Sequence, residues 1–323
     1  MTVRAVIIEP REHAALAAVV HNIATKTSFP ITIVHGRFNG VLARQIADDV
    51  PLVDVLAEMN AENLTMDAFN RVCLDPVLWD NIGAGAGDKV LIFQTDSGIC
   101  GDIHAPHVQA ALRSDYCGAV FPMTRDIVSP RRLGPIVLPV GSAIVGVVLS
   151  SIVIRHKASS LYTAFMGAML GLAVVGVIVL GVSMRLDSRG WVGNGGFSVR
   201  DWSMARKHAA QFTRDRTDWR RVPYEDIVFT RMCHNDPDCH VCDYDVAVDF
   251  STEEIANPKA FGFHKNWNYH PKKMMCDFNR WVAANQGIVH GSRVGVSVRS
   301  DWVPDVKIVW RRSVEASPVI KNK

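Results

Sequence analysis

Two adjacent acids in this chain have the chemistry of a general base. Glu225 and Asp226 come directly before Ile227–Phe229, at the predicted start of a helix. A carboxylate in that position can remove the proton from a hydroxyl group while the hydroxyl oxygen attacks. Acidic residues in the first turn of a helix also stabilise the helix without any catalytic role. The pair therefore predicts either a general base or a helix cap.

A third acid lies where a metal ion could bind. Asp96 follows the apolar strand predicted at Val90–Phe93 and precedes Ser97. A carboxylate at the carboxyl end of a strand can ligate Mg²⁺ or Mn²⁺, and the ion then bridges the phosphate oxygens of a nucleotide. An aspartate at a strand end can also simply close an Asx turn. Both interpretations of Asp96 stay open at this point.

A histidine and a lysine follow the segment Phe261–Phe263. His264 could complete a metal site or donate a hydrogen bond to a departing diphosphate, although a single histidine is more often structural. Lys265 could neutralise phosphate charge, although most lysines are only solvated.

A glycine-rich turn precedes the last predicted strand of the central region. Gly193, Gly195 and Gly196 surround Asn194, and such a run lets the backbone adopt left-handed angles and lets a ligand approach closely. The rings of Trp191 and Phe197 beside the turn suit stacking against a sugar face. An ordinary tight turn is the alternative interpretation.

The elements that would position these residues alternate between strands and helices. Val3–Ile8 and Ile31–Val34 are β-branched apolar runs, and Ala14–Ala24 between them has helical spacing. This alternation predicts an α/β fold with a parallel, doubly wound sheet that binds ligands at the carboxyl ends of its strands. The residues at those ends are Glu9, Arg11, His35 and Gly36.

Two apolar blocks interrupt the chain between the predicted halves. Residues 136–154 and 163–184 contain no charged side chain, and each is close to the ~20 residues with which a helix crosses a bilayer. They predict a two-span membrane hairpin, with a pair of fully buried helices as the alternative. The basic residues around the blocks only mildly favour termini on the cytosolic side.

Charge and cysteine content narrow the class of protein. The net charge of +3 and the absence of a lysine or arginine run give no support for nucleic-acid binding. Four single cysteines predict reduced core thiols rather than a disulfide framework. A second cysteine group, within ten residues and next to two histidines, leaves a zinc site, a local disulfide and free thiols all open. The single cysteines are Cys73, Cys100, Cys117 and Cys276, and the clustered ones are Cys233, Cys239 and Cys242.

In these residues the chain resembles a little-characterised family of glycosyltransferase-like proteins. The Glu225–Ile227 segment also looks, more distantly, like the acid pair of β-1,3-galactosyltransferase-type enzymes, which have the A-type nucleotide-sugar fold (GT-A). The segments that carry the resemblance are Ala5–Arg11 with His13, Val34–Gly36, Phe93–Ser97, Asp115–Ala119, Gly193–Ser198, Glu225–Ile227, Phe250–Ser251 with Glu253 or Glu254, and Phe261–Lys265.

The resemblance implies a Rossmann-like GT-A domain, a nucleotide-sugar donor such as a UDP-sugar, and Mn²⁺ or Mg²⁺ near Asp96 and His264. It would make Asp226, with Glu225 beside it, the base of an inverting displacement onto a glycan, lipid or protein acceptor. Two departures stand out. About seventy residues separate Ala119 from Gly193, where the family has a short link, and Asp96 is not part of a paired Asp-Xaa-Asp motif.

The sequence therefore predicts a membrane-attached glycosyltransferase with its catalytic part in the cytosol. The alternative is a catalytically inactive, membrane-attached protein that binds carbohydrate or supports assembly. Residues 1–132 would bind the nucleotide sugar, 133–186 would form the hairpin, 187–314 would bind the acceptor and catalyse transfer, and 315–323 would be an unstructured tail. The predicted donor-binding residues are Glu9, Arg11, His35, Gly36, Asp96, Ser97, Gly195, Gly196 and Lys265.

Overall fold

β-branched and aromatic runs build one large sheet at the centre of the protein. The computed structural model describes residues 2–122, 191–215, 223–272 and 275–286, together with the backbone of residues 311–312. The strands are β1 (Val3–Glu9), β2 (Ile31–His35), β3 (Val53–Glu58), β4 (Lys89–Phe93), β5 (Ser97–Ile99), β6 (Tyr116–Gly118), β7 (Val120–Phe121), β8 (Trp191–Val192), β9 (Phe197–Asp201), β10 (Ser251–Thr252), β11 (Gly262–His264) and β12 (Arg311–Arg312).

The main sheet has seven strands in the order β12-β3-β2-β1-β4-β9-β6. β3, β2, β1 and β4 run parallel, whereas β9 pairs antiparallel with both β4 and β6, and β12 pairs antiparallel with β3. β1, β2 and β4 are buried along nearly their whole length, as expected for continuous apolar runs in a parallel sheet, whereas β3 is buried at only half of its residues. Their carboxyl ends therefore meet at one edge, where β1 ends at Glu9 and β4 ends at Phe93.

Nine helices connect or flank the strands in the described part of the chain. Their starts follow ordinary capping chemistry in places: Thr65 accepts a hydrogen bond from the backbone N–H of Ala68, and Asp75 accepts one from Val77. The helices are α1 (Leu16–Lys26), α2 (Gly40–Asp49), α3 (Met66–Cys73), α4 (Pro76–Asn81), α5 (Pro106–Arg113), α6 (Trp202–Asp215), α7 (Glu225–Asn235), α8 (Tyr244–Phe250) and α9 (Asp277–Asn285).

A small second sheet brings distant parts of the chain to the edge where β4 ends. Its strand order is β10-β11-β5, and β11 pairs antiparallel with β5 so that His264 lies opposite Ser97. The backbone N–H of Lys265 donates to the carbonyl of Asp96 over 2.8 Å and extends this pairing by one residue. The sheet thus places the residues after β4 beside those after β11.

The predicted fold class, a Rossmann-like GT-A domain with an inserted transmembrane hairpin, is wrong. No helix among the described residues is both long and apolar enough to cross a membrane. Hydropathy alone does not distinguish a helix that faces lipid from one that is buried in protein, which is why uncharged runs misled the prediction. The structure is a mixed α/β fold whose main sheet is largely parallel. Residues 133–186, to which the hairpin was assigned, lie outside the described residues.

The predicted domain boundaries also fall outside the described residues. Residues 1–121 and 192–323 belong to one compact unit, and residues 122–191 form a second. The described parts of the two predicted halves therefore share one hydrophobic core. It contains Phe93, which precedes residues 122–191, and Phe197, which follows them.

Two of three disulfides correct the prediction of reduced thiols at Cys100, Cys117 and Cys276, and the third is the local disulfide that the sequence had left open for the cysteine cluster. Cys100 pairs with Cys276, Cys117 with Cys242, and Cys233 with Cys239, at Cα–Cα distances of 6.0, 5.3 and 5.1 Å. These distances lie in the ordinary range for a disulfide. Pairing depends on which thiols the fold brings together, and spacing along the chain does not reveal it. Only Cys73 is a free thiol, as predicted, and it is buried.

We expect the thiol count to change sharply on reduction. The unfolded, unreduced protein should expose one reactive thiol, from Cys73, and the reduced protein should expose seven. Replacing Cys100 and Cys276 together by serine should lower the free energy of unfolding by about 2–4 kcal/mol, because the crosslink restricts the unfolded chain. Titration with a thiol reagent in denaturant and urea unfolding measure the two effects. Seven reactive thiols before reduction would contradict the disulfides.

Candidate active site

A cavity of about 280 Å³ opens at the carboxyl ends of β1 and β4. One wall is the segment from Glu9 to His13, and the opposite wall is the start of α3 with the residues just before it. Asp96 and Gln286 complete the lining, and Gln286 is fixed there because its side-chain amide donates to the carbonyl of Thr95 over 2.8 Å. Residues from four separate regions of the chain therefore form one recess.

A buried carboxylate holds a positive charge against this cavity. Arg11 donates through Nε and Nη2 to the two carboxylate oxygens of Glu9, each over 2.7 Å, and its backbone N–H donates to Oε1 over 3.0 Å. Glu9 is buried, whereas the Arg11 side chain is 39 % exposed. The hydrogen bonds that Arg11 donates to Glu9 raise the pKa of Arg11 above its usual value. A fixed guanidinium of this kind suits a carboxylate or phosphate ligand.

His35 and Gly36, predicted to bind the donor, do not line the cavity. His35 is buried, and its Nδ1 lies 2.9 Å from the carbonyl oxygen of Gly36. A Cβ on Gly36 would overlap the carbonyl oxygens of Pro10 and Ala61, so the backbones approach too closely for any other residue. These two residues therefore support the loop that carries Arg11.

Asn39 is a supporting residue that sequence reasoning missed. Its side-chain amide donates to the carbonyls of Glu9 over 2.6 Å and of Arg11 over 2.9 Å, and its Oδ1 accepts from Gly36 N–H over 2.8 Å. The side chain is fully buried. No sequence signal marked it, because hydrogen bonds to a loop about thirty residues earlier have no local pattern.

His264 lies between two carboxylates. Its Nε2 is 3.3 Å from Asp96 Oδ1 and 3.1 Å from Gln94 Oε1, while its Nδ1 is 3.4 Å from Glu253 Oε1. Burial by itself would lower the pKa of His264, but Asp96 and Glu253 outweigh it and raise the pKa to about 9. Burial likewise opposes ionisation of Asp96, yet His264 and Lys265 lower the pKa of this carboxyl to about 2. The pair is therefore ionised at neutral pH in the absence of a metal.

The remaining predicted residues near Asp96 shape its loop. Ser97 is buried, and its hydroxyl donates to the carbonyl of Gln94 over 2.8 Å and accepts from the N–H of the same residue over 2.9 Å. Lys265 has a positive φ of 29°, a region that side chains other than glycine rarely adopt. The Lys265 side chain is 31 % exposed, and its Nζ lies 3.9 Å from Oε1 of Glu253. Lys265 thus contributes positive charge beside the two acids.

The glycine turn lies between His264 and Asp226. A Cβ on Gly196 would overlap the His264 ring, and a Cβ on Gly195 would overlap the Glu225 carboxylate. The N–H of Gly195 donates to Asp226 Oδ2 over 3.3 Å. Gly195 therefore contacts the two acids and Gly196 contacts His264, which lies 3.3 Å from Asp96. Of the predicted residues Asp96, His264 and Asp226, only Asp96 lines the cavity.

The two adjacent acids have different surroundings. Glu225 is buried and forms an ion pair of 2.8 Å with Arg200, whose guanidinium lies 4.7 Å above the Phe229 ring. Burial raises the pKa of Asp226 to about 7, and the negative charge of Glu225 adds to the shift. Glu225 is therefore occupied by a structural partner, whereas Asp226 has the proton affinity of a base that works near neutral pH.

A divalent cation fits the residues around Asp96. Oδ1 of Asp96 is buried and has no hydrogen-bond partner, and Nε2 of His264 faces it. No group of three or more histidine, cysteine or acidic side chains in the described ranges is arranged around a metal position. An ion that is also held by substrate phosphates and water needs only one or two protein ligands. Asp96 and His264 would supply them, and His264 would release a proton on binding.

Comparison with known families places these residues in a wider group of proteins. A family model described as "Protein of unknown function (DUF5672)" matches residues 56–264, which is more than half of the chain. The matched segment includes Asp96, Asp226 and His264, and it begins after the Glu9–Arg11 pair. No curated protein matches the chain.

We expect the buried ion pair to contribute far more to stability than an exposed one. Replacing Glu225 by glutamine should lower the free energy of unfolding by about 3–5 kcal/mol, because Arg200 would keep an uncompensated buried charge. The matched control is Asp80→Asn, which removes the solvent-exposed Arg206–Asp80 pair and should cost much less, because water already screens these charges. Urea unfolding compares the two variants, and equal losses would show that the Arg200 charge is not desolvated.

Proposed function

The chain belongs to the DUF5672 family, and we propose that it is a glycosyltransferase that moves a sugar from a nucleotide-diphosphate donor to an acceptor hydroxyl. The observation that carries this proposal is the turn at Gly195 and Gly196. One side of the turn contacts Asp226, an acid whose pKa is about 7, and the other contacts His264, which faces Asp96. A base beside Gly195, and a pair of possible cation ligands at the next residue of the turn, are the groups that a displacement between a hydroxyl and a diphosphate needs.

The donor diphosphate would bind at the cavity beside Arg11. The guanidinium is held by Glu9 and stays charged, so it can donate to phosphate oxygens without first being ordered. Lys265 adds a second positive charge close to Asp96. A cavity of about 280 Å³ is large enough for part of a nucleotide sugar, and a UDP-sugar is the donor that we expect.

Asp226 would act as the base. Its carboxylate accepts from the N–H of Ile227 over 2.7 Å and from that of Gly195, and both hydrogen bonds orient it at the turn. In the proposed step Asp226 takes the proton of the acceptor hydroxyl while the hydroxyl oxygen forms a bond to the anomeric carbon. The bond from that carbon to the diphosphate breaks on the opposite face, so the configuration inverts.

The departing diphosphate carries the negative charge that develops in this step. A divalent cation held by Asp96 and His264 would neutralise phosphate charge as a Lewis acid. Arg11 and Lys265 would bind the same leaving group through their own positive charges. Glu225 has no part in the proton transfer, because its carboxylate is paired with Arg200.

We expect Asp226→Asn to abolish sugar transfer and to leave donor binding nearly unchanged, because the amide keeps the shape of the side chain and cannot take a proton. Purified protein with Mn²⁺ and a panel of nucleotide sugars would be assayed for release of nucleoside diphosphate, and donor binding would be followed by thermal stabilisation. The matched control is Asp245→Asn, an exposed acid at the start of α8. Normal turnover by Asp226→Asn would refute the base, and no turnover of any nucleotide sugar by the wild-type protein would refute the transferase.

The pH dependence of transfer should report Asp226. The base acts in its ionised form, so kcat/KM should fall about tenfold for each pH unit below about 7 and level off above it. Stability responds in the opposite sense, because the pKa of Asp226 is raised in the folded state. The stabilisation from this group is complete below its usual pKa of 3.8 and is lost as the pH rises through about 7. A profile of kcat/KM that is flat from pH 5 to pH 8 would contradict the assignment.

A further inference from the structure

We propose that Glu253 is a positioning residue that orients His264 for the cation site, an inference that rests on the proposed function and adds a residue to it. Glu253 Oε1 lies 3.4 Å from Nδ1 of His264, on the side of the ring opposite Asp96. The imidazole therefore has one nitrogen facing each carboxylate. Only one of these carboxylates, Asp96, lines the cavity.

The backbone explains why Glu253 reaches this position. It directly follows β10, which pairs in parallel with β11, so that Thr252 lies beside Phe263. Glu253 follows Thr252 and His264 follows Phe263, so these two residues are neighbours across the pair of strands. Their side chains meet where the strands end. Both side chains are only 3 % exposed. An ionised carboxylate buried to this degree is costly unless a partner compensates its charge.

A carboxylate in this place determines which imidazole nitrogen can bind a cation. The 3.4 Å contact between Nδ1 and Glu253 Oε1 does not have the geometry of a hydrogen bond, so Glu253 acts on the ring through its charge. A negative charge beside Nδ1 favours the proton on Nδ1 and leaves the lone pair on Nε2, which faces Asp96 and Gln94. Oε2 of Glu253 has no hydrogen-bond partner. Among the described residues, the charged groups near the carboxylate are His264 and the more distant Lys265, and both lie nearest to Oε1. Glu253 would thus act through His264 and would not itself touch the cation or the substrate.

The glycine turn completes the support of the ring from the other side. A Cβ on Gly196 would overlap three atoms of the His264 imidazole, so the ring rests directly on the backbone there. Packing against Gly196 limits the tilt of the ring, and Glu253 limits its rotation. A ring held in both ways is oriented before the cation binds.

The experiment measures Mn²⁺ affinity without any donor, by electron paramagnetic resonance of the unbound ion. We expect Glu253→Ala to weaken Mn²⁺ binding about 10- to 100-fold, as other losses of a carboxylate behind a metal-binding histidine do. Glu253→Gln should weaken it less, because the amide oxygen still presents a partial negative charge to Nδ1. His264→Ala should bind least, and Asp245→Asn should bind as the wild type does.

Each outcome decides the inference independently of sugar transfer. A purely structural Glu253 would lower the melting temperature of the metal-free protein and leave Mn²⁺ affinity unchanged, which would overturn the proposal. If Glu253→Ala does not fold, wild-type Mn²⁺ affinity in Glu253→Gln together with weak binding in His264→Ala would overturn it as well. A wild-type protein that binds no Mn²⁺ would also overturn it. Weakened Mn²⁺ binding in a protein that turns over no nucleotide sugar would uphold the role of Glu253 and refute the transferase.

Discussion

The close approach of side chains to the backbone at Gly195 and Gly196 is the constraint on which the site depends. Both α-carbons lie where a single added carbon would overlap a neighbouring functional group, an imidazole in one case and a carboxylate in the other. The turn therefore acts as a thin spacer between two parts of the chain that are far apart in sequence. β9, which follows the turn, is paired with strands on both sides, so this spacer is held by the main sheet.

Charge is distributed around this turn so that neighbouring acids behave differently. Arg200 neutralises Glu225 in the core, and the hydrogen bond from the indole of Trp202 to the carbonyl of Trp79 helps to fix the strand end that carries the arginine. Asp226, one residue later, accepts hydrogen bonds only from backbone N–H groups. Burial and the negative charge of Glu225 raise its pKa to about 7. Burial without a cationic partner raises the pKa of Asp226, and burial with one makes Glu225 a structural anchor.

The sequence predicted the strands and helices better than the tertiary contacts between them. The β-branched runs at β1 and β2 and the apolar run at β4 were visible because a strand is a local pattern, and the parallel pairing followed from the alternation with helices. The contact between Asp96 and His264 depends on the pairing of β5 with β11, which are about 160 residues apart, and no local signal encodes that register. Glu253 and Arg200 were missed as partners for the same reason. The apolar blocks misled the fold class because uncharged length alone does not identify the surroundings of a helix.

The three disulfides have a practical consequence for anyone who makes this protein. Six sulfhydryls must be oxidised in the right pairs, and two of the bridges join residues separated by 176 and 125 positions. A reducing bacterial cytosol would keep these sulfhydryls apart, so a recombinant host should export the polypeptide or supply an isomerase. Cys276 immediately precedes α9, and Gln286 immediately follows it, so incorrect pairing would leave that wall of the recess without its covalent anchor.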